Sequence, residues 1–245
     1  MKTILITGAT RGIGLEMAKQ LIQKGHFVYL GSRSLEKGEE IVTELNKTGL
    51  TNAKAIALDV TNVQSISAAK AQVEQEQGKL DILINNAGIL GGFEQSAQNV
   101  PVEVIREVFD TNFYGVINVT QAFLPLLKKS NTPRISNVTS GLGSLTLHTN
   151  PNWKYYAVKG AAYGPSKTAL NAYTIVLAYE LKDTNFKVNV IDPGYTATDF
   201  NHHNGPLSPA ASAAFVIKHT DTDDDAPSGQ YFSHDIEDGT EVSPW

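Results

Sequence analysis

Apolar residues in this chain come in short unbroken runs, and between the runs they recur at helical spacing. Ile4, Leu5 and Ile6 form the first run, and Gly8, Gly12 and Gly14 break it. Leu15, Ala18, Leu21 and Ile22 then follow a helical period that stops at Gly25. The first unit therefore reads strand, glycine-rich turn, helix. Comparable runs occupy residues 27–31, 53–58, 80–84, 134–138, 187–191 and 229–233. Ser34 is placed to cap a helix striped by Ile41, Val42 and Leu45, and Thr61 or Asn62 one striped by Val63, Ile66, Ala69 and Val73. A long helix is expected from about Pro101, a good first-turn residue, to Lys129, and another over residues 165–182. Residues 141–162 read as irregular. The runs are apolar throughout rather than alternating, which marks strands buried on both faces. With helices between them, the expected fold class is α/β: a doubly wound parallel sheet flanked by helices on both faces, in one domain over residues 1–245.

In such sheets ligands bind beyond the carboxyl ends of the strands. The polar residues that close the runs, at 8–14, Ser32-Arg33, Asp59, 85–88, Ser140 and 193–198, therefore converge on one crevice. The glycine-rich turn aims unpaired helix N–H groups and the positive helix end at that crevice, an anion site suited to a pyrophosphate. Its spacing is G-x-x-x-G-x-G, not the dinucleotide fingerprint G-x-G-x-x-G.

Composition narrows the function. The formal net charge is -5 over 245 residues and no basic stripe is visible, so neither nucleic acid nor an anionic membrane is expected as a partner. The absence of cysteine excludes disulfides, thiol catalysis and thiolate metal sites, and fits a cytoplasmic location. No apolar run approaches the roughly 20 residues of a membrane span. The first residues, with one Lys and a run cut short at Gly8, do not read as a signal peptide. His202 and His203 are adjacent and tend to point apart, so no metal site is expected. Residues 221–225 lack the Gly and Glu of a calcium loop and read as a solvated turn.

Candidate chemistry lies in Tyr163-Gly-Pro-Ser-Lys167, which places a phenol and an ammonium at i and i+4 on one helix face. A nearby cation favours phenolate and lowers the tyrosine pKa from its usual value of about 10. Such a pair can protonate a developing alkoxide or take a proton from an alcohol, and Ser140 is placed to donate a hydrogen bond to the same oxygen. Tyr155 and Lys159 repeat the spacing. Tyr163 is preferred because Lys167 leads into a helix of suitable length before the next strand, whereas Tyr155 would sit about two helical turns further from the sheet edge.

In these residues the chain resembles the short-chain dehydrogenase/reductase family. The resemblance covers about residues 3–198 and rests on Thr7-Gly-x-x-x-Gly12-x-Gly14, Asn85-Asn-Ala-Gly88, Asn112, Ser140, Tyr163-x-x-x-Lys167 and Pro193-Gly194, all in family order. It implies a Rossmann-type sheet and nicotinamide chemistry. Tyr163 would be the general acid in reduction, Lys167 would lower its pKa and bond the nicotinamide ribose, and Ser140 would polarise the substrate carbonyl. Asn112 would hold a water connecting Lys167 to solvent. Gly8, Thr10, Arg11, Gly12, Ile13 and Gly14 would form the phosphate turn. Asn86, Ala87 and Gly88 would support the cofactor, and Asp59-Val60 would face the adenine. Pro193, Gly194 and Thr196 would border the nicotinamide, with Thr198 at the pyrophosphate.

Which nicotinamide is a question of charge. NAD readers usually present an acid after the second strand. Here the place reads Gly31-Ser32-Arg33, with no carboxylate until Glu36, and Arg33 and Arg11 suit a 2′-phosphate. The expected cofactor is NADP. Ser140 and Tyr163 are 23 positions apart, wider than the family usually shows. Carbonyl reductase-like members carry insertions there. The extra segment could wall the substrate pocket with Leu142, Leu145 or Trp153, and it could cover a helix face that many relatives use to dimerise. Monomer or homo-oligomer stays open. Residues 195–217 read as a lid. The expected function is NADPH-dependent reduction of a small-molecule carbonyl. The alternatives are NAD-dependent alcohol oxidation, reduction of carrier-bound ketoacyl chains, and a dinucleotide sensor without turnover.

Overall fold

The computed structural model describes residues 1–236 and 238–245. Seven strands form one sheet in the order β3-β2-β1-β4-β5-β6-β7, every neighbouring pair parallel. They are β1 (Thr3–Thr7), β2 (Phe27–Ser32), β3 (Ala53–Ala57), β4 (Ile82–Asn85), β5 (Arg134–Val138), β6 (Lys187–Asp192) and β7 (Tyr231–Ser233). The order reverses between β1 and β4, which opens the crevice of a doubly wound sheet there.

The side-chain period of two divides each apolar run between the faces. Leu5, Tyr29, Leu83, Ile135 and Val188 pack under α3 (Val63–Gln77), α5 (Gly115–Leu127) and α7 (Tyr163–Glu180). Ile4, Ile6, Val28, Leu30, Ile82 and Ile191 pack under α1 (Gly12–Gln23), α2 (Leu35–Lys47) and α8 (Pro209–Thr220). The central strands are buried on both sides, while edge strand β3 leaves Lys54 and Ala57 exposed. Among the described residues no helix is long and apolar enough to cross a membrane.

The helix expected over 101–129 is not continuous. It runs as α4 (Val102–Phe109), a π turn (Asp110–Tyr114) and α5. The bulge turns Asn112 inward, where its side chain binds both the N–H and the C=O of Ile89, each at 2.9 Å, and Ser166 Oγ at 3.1 Å. A fully buried amide needs such partners. Periodicity did not show the bulge because the apolar stripe continues on either side of it. The irregular segment contains a 3-10 turn (Gly141–Gly143) and the short helix α6 (Leu145–His148), capped by Ser144. α7 starts two residues earlier than expected, so Tyr163 itself lies in its first turn, where Pro165 is tolerated.

Residues 221–225 are more than a solvated turn. The Asp221 carboxylate holds Lys2 at 2.7 Å, His26 at 3.1 Å and Lys24 at 3.3 Å. Burial raises its pKa, but the hydrogen bonds from Lys2 and His26 outweigh that and hold it down to about 2. Nearby, the buried Arg134 donates to the carbonyls of Pro133, Asn185, Thr222 and Asp223 at 3.1–3.2 Å and to Asp224 at 2.9 Å. It ties the start of β5 to the loops before β6 and after α8. Arg134→Met should therefore lower stability by about 3 kcal/mol, because four carbonyls and Asp224 lose a donor that is itself buried. Urea unfolding followed by circular dichroism measures the loss.

Candidate active site

The turn after β1 brings backbones into contact. Gly8 has φ +66, and a Cβ there would lie 3.0 Å from Ala87 Cα. A Cβ on Gly14 would lie 2.4 Å from the Gly8 carbonyl oxygen and 2.6 Å from Asn86 Nδ2. Only glycine permits that approach. Asn86 Nδ2 donates to the carbonyls of Thr7 and Gly8, each at 3.0 Å, and Thr7 Oγ1 accepts from the amides of Asn86 (3.0 Å) and Ala87 (2.9 Å). The turn is thus tied to the end of β4. No side chain caps the first turn of α1, whose amides face the cleft.

This cleft, about 990 Å³, runs along the carboxyl ends of the strands. Gly8, Thr10, Arg11, Gly12, Ile13 and Gly14 line it at one wall, and Asn86, Ala87 and Gly88 form its floor. Arg33, Asp59 and Val60 line one end. Ser140, Tyr163, Lys167, Pro193, Gly194, Thr196 and Thr198 line the rest. Of the expected catalytic and cofactor residues, Asn112 alone does not line the cleft. Its side chain is held by Ile89 and Ser166 behind the cleft wall.

At the Arg33 end the lining side chains are Ser32, Arg33, Ser34 and Lys37, and Glu36 is not among them. Asp59 is engaged by its own turn, accepting from Thr61 N at 2.9 Å and Thr61 Oγ1 at 2.8 Å. Arg33 and Lys37 make this end of the cleft basic, and with the glycine cradle it fits a nicotinamide dinucleotide. Thr198 abuts the phosphate turn, its Cγ2 3.4 Å from where a Gly12 Cβ would lie.

At the other end, Tyr163 and Lys167 stack one turn apart, with the Lys167 ammonium 5.7 Å from the Tyr163 ring centre. The ammonium donates to the Val138 carbonyl at 2.8 Å. Burial lowers the Lys167 pKa to about 8, and Asp192 opposes that shift, so the group is mostly cationic at neutral pH. The phenol behaves otherwise than the spacing suggested. Burial pushes the Tyr163 pKa well up, Asp192 adds to the rise, and only Ser140 pulls it down. One of the three Lys167 N–H donors goes to Val138, and desolvation prevails at the phenol. The hydroxyl is therefore held neutral, beside the Ser140 hydroxyl.

Tyr155 is arranged differently. It lies in a turn, edge-on to Trp153 (5.5 Å) and Tyr195 (5.9 Å). Lys159 turns away to the His148 carbonyl (2.8 Å) and to the Tyr156 ring (4.4 Å). The second Tyr-x-x-x-Lys is thus a coincidence of spacing. Leu142 lines the cleft as expected, but Leu145 is exposed to solvent and Trp153 packs behind Gly141. Their places in the wall are taken by His148, Tyr155 and Val158. Phe200 stands edge-on to Tyr163 at 5.5 Å, which puts the segment after β6 over the site. His203 pairs with Asp199 at 2.9 Å, and His202 meets the Phe93 ring at 5.3 Å.

Sequence reasoning missed two residues of this site. Gln95, buried, accepts from the amides of Ala162 (3.1 Å) and Tyr163 (3.0 Å) and so caps α7 beneath the phenol. No local signal marks a cap that comes from 68 residues away. Lys37 was legible one helical turn beyond Arg33, had that face been checked for basic residues.

Comparisons with known proteins agree with this geometry. The family model described as "short chain dehydrogenase" matches residues 2–206. The chain is 32% identical to (-)-isopiperitenone reductase of Mentha piperita, covering 94% of this chain and 96% of that one. The solved structure of salutaridine reductase from Papaver somniferum superposes with a TM-score of 0.84 at 30% identity, over 96% of this chain and all of the other. An NADPH-bound carbonyl reductase from chicken fatty liver superposes with a TM-score of 0.85 at 25% identity, over 100% and 99%.

Proposed function

Since the chain belongs to the short-chain dehydrogenase family and is thereby an NAD(P)-dependent oxidoreductase, we propose that it reduces the carbonyl of a ketone or aldehyde with NADPH. The observation that carries this reading is the Tyr163 phenol, which lines the cleft beside Ser140 with the Lys167 ammonium 5.7 Å from its ring centre. A general acid must enter the reaction protonated. Burial raises the Tyr163 pKa, so the phenol enters the reaction protonated.

Bound NADPH supplies the hydride, and the chain supplies position and charge. Ser140 donates a hydrogen bond to the substrate oxygen. Tyr163 gives that oxygen its proton as negative charge develops there. Lys167 stabilises the phenolate left behind and bonds the nicotinamide ribose. Asn112 acts by holding Ile89 and Ser166, which keeps the floor and α7 in register. Gly8–Gly14 receive the pyrophosphate, with Thr198 closing over it, while Asp59 and Val60 face the adenine and Arg11 and Arg33 the 2′-phosphate. Pro193, Gly194 and Thr196 border the nicotinamide, and Asn86–Gly88 support it. Phe93, Leu142, Tyr155, Val158, Tyr195 and Phe200 leave an apolar, aromatic mouth for the substrate. Three of the similar proteins are named as reductases, and one of them holds NADPH.

Loss of NADPH absorbance with a panel of cyclic and open-chain ketones tests the proposal. Turnover with NADPH that exceeds turnover with NADH supports it. No turnover with either cofactor, together with retained binding, would leave the sensor in its place.

A further inference from the structure

One ionisable group in the cleft has no part in the reading above. Asp192 ends β6, is 3% exposed, and faces the same side of the sheet as Ser140 and Tyr163. Its Oδ1 accepts from the Gly194 amide at 3.0 Å, and its Oδ2 accepts from Ser233 Oγ at 2.7 Å. The same carboxylate presses on the residue after Ser140: a Cβ on Gly141 would lie 3.3 Å from Oδ2, and the Gly141 amide is turned toward it. The other end of that peptide is also held, because the buried Tyr231 hydroxyl donates to the Ser140 carbonyl at 2.6 Å. The Ser140–Gly141 peptide is therefore gripped from β6 and β7 together. On its far side Asp192 fixes Gly194, whose φ of +80 sets the turn beyond β6.

We propose that Asp192 is a positioning residue that holds the Ser140 hydroxyl and the Pro193–Gly194 turn in one register, so that the carbonyl donor and the nicotinamide border move as a unit. This rests on the proposed reductase reading, in which Ser140 touches substrate. A buried charge is retained at a cost in desolvation, and alignment of two reacting partners is a return that repays it. The groups facing the carboxylate are Tyr163 and Lys167 from α7, Tyr231 from β7, Tyr155 from the segment before α7, and Asp235 after β7, itself paired with Lys154 at 3.1 Å. Burial first, then Asp235, raises the Asp192 pKa to about 6, so it is ionised at neutral pH and gains a proton as pH falls through that value.

The test compares Asp192→Ala and Asp192→Asn with the wild type in steady-state ketone reduction from pH 5 to 8. Each variant is also scored for 2′,5′-ADP affinity and for the fluorescence of bound NADPH. Asp192→Ala should cut kcat by about 30-fold, with 2′,5′-ADP affinity within twofold, since the adenosine end is remote. Wild-type kcat should fall below about pH 6. Asp192→Asn, neutral like the protonated acid, should show the reduced low-pH kcat across the whole range and lose that acid limb. A kcat within twofold in Asp192→Ala overturns the proposal, and so does an acid limb that persists in Asp192→Asn. If Asp192→Ala does not fold, Asp192→Asn alone decides. If the wild type reduces no ketone, the functional reading fails by itself and bound-NADPH fluorescence then decides. Emission altered in the variants supports the link to Gly194, and unaltered emission overturns it.

Discussion

Tyr163→Phe should lower kcat for ketone reduction by about 10³-fold while leaving NADPH affinity within about twofold. General acid catalysis is worth roughly 10²–10⁴, and Phe removes the proton donor while keeping the ring. The contact with Phe200 at 5.5 Å survives, and so does the packing over Lys167. The pyrophosphate turn and Arg33 lie elsewhere in the cleft, so binding should not change. Stopped-flow measurement of NADPH oxidation separates chemistry from release, and fluorescence titration gives the affinity. Tyr155→Phe is the companion measurement. Tyr155 meets Trp153, Tyr195 and the Lys154 ammonium, which lies 5.2 Å from its ring centre, and Lys159 is turned away from it, so its kcat should stay within about threefold. If Tyr155→Phe were dead and Tyr163→Phe active, the catalytic assignment would pass to the other tyrosine.

Arg33→Ala should lower kcat/KM for NADPH by about 30-fold and leave that for NADH nearly unchanged. A charge-assisted hydrogen bond to phosphate is worth about 1.5–3 kcal/mol, and every 1.4 kcal/mol is tenfold. Arg33 is exposed at the end of β2 with Ser32, Ser34 and Lys37 around it, so its loss leaves the fold alone. Arg11 is held weakly by Asp199 at 3.6 Å and Lys37 remains, so some preference for NADPH should persist. Salt should erode the NADPH advantage of the wild type more than that of the variant, because exposed charges are screened. Equal losses for both cofactors would place Arg33 in general support of the turn rather than at the 2′-phosphate.

The site was legible to different depths. The glycine turn could be read because its requirement is local: Gly14 must meet the Gly8 carbonyl across six residues, and no side chain fits. The basic reading at Arg33 was also local, since the residues after a strand end reach the ligand directly. The Tyr163 pKa was misjudged because spacing reports a neighbour, Lys167, but not the solvent that burial removes. Asn112 was found as a polar residue within a helix, but its partners Ile89 and Ser166 lie 23 and 54 residues away. Leu145 and Trp153 were placed in the wall because they are apolar. The turn at Gly141–Gly143 sends one to the surface and the other behind the loop.

By itself the chain's order of apolar runs determined the layers: a run buried on both faces must lie inside a helix-covered sheet, and its alternate residues then belong to opposite cores. The same order placed the glycines and the first arginines after strand ends and the Tyr163–Lys167 pair at the start of a helix, because a helix or a turn is built from neighbours. Only the tertiary structure decided which of two identical spacings is a pair, what holds Tyr163 neutral, and which side chains grip the Ser140 loop. Those depend on contacts such as Asp192 with Ser233, Tyr231 with Ser140, and Gln95 with Tyr163, made by residues 41, 91 and 68 positions apart. Desolvation and long-range hydrogen bonding act between such residues once the layers close, and local sequence has no term for either.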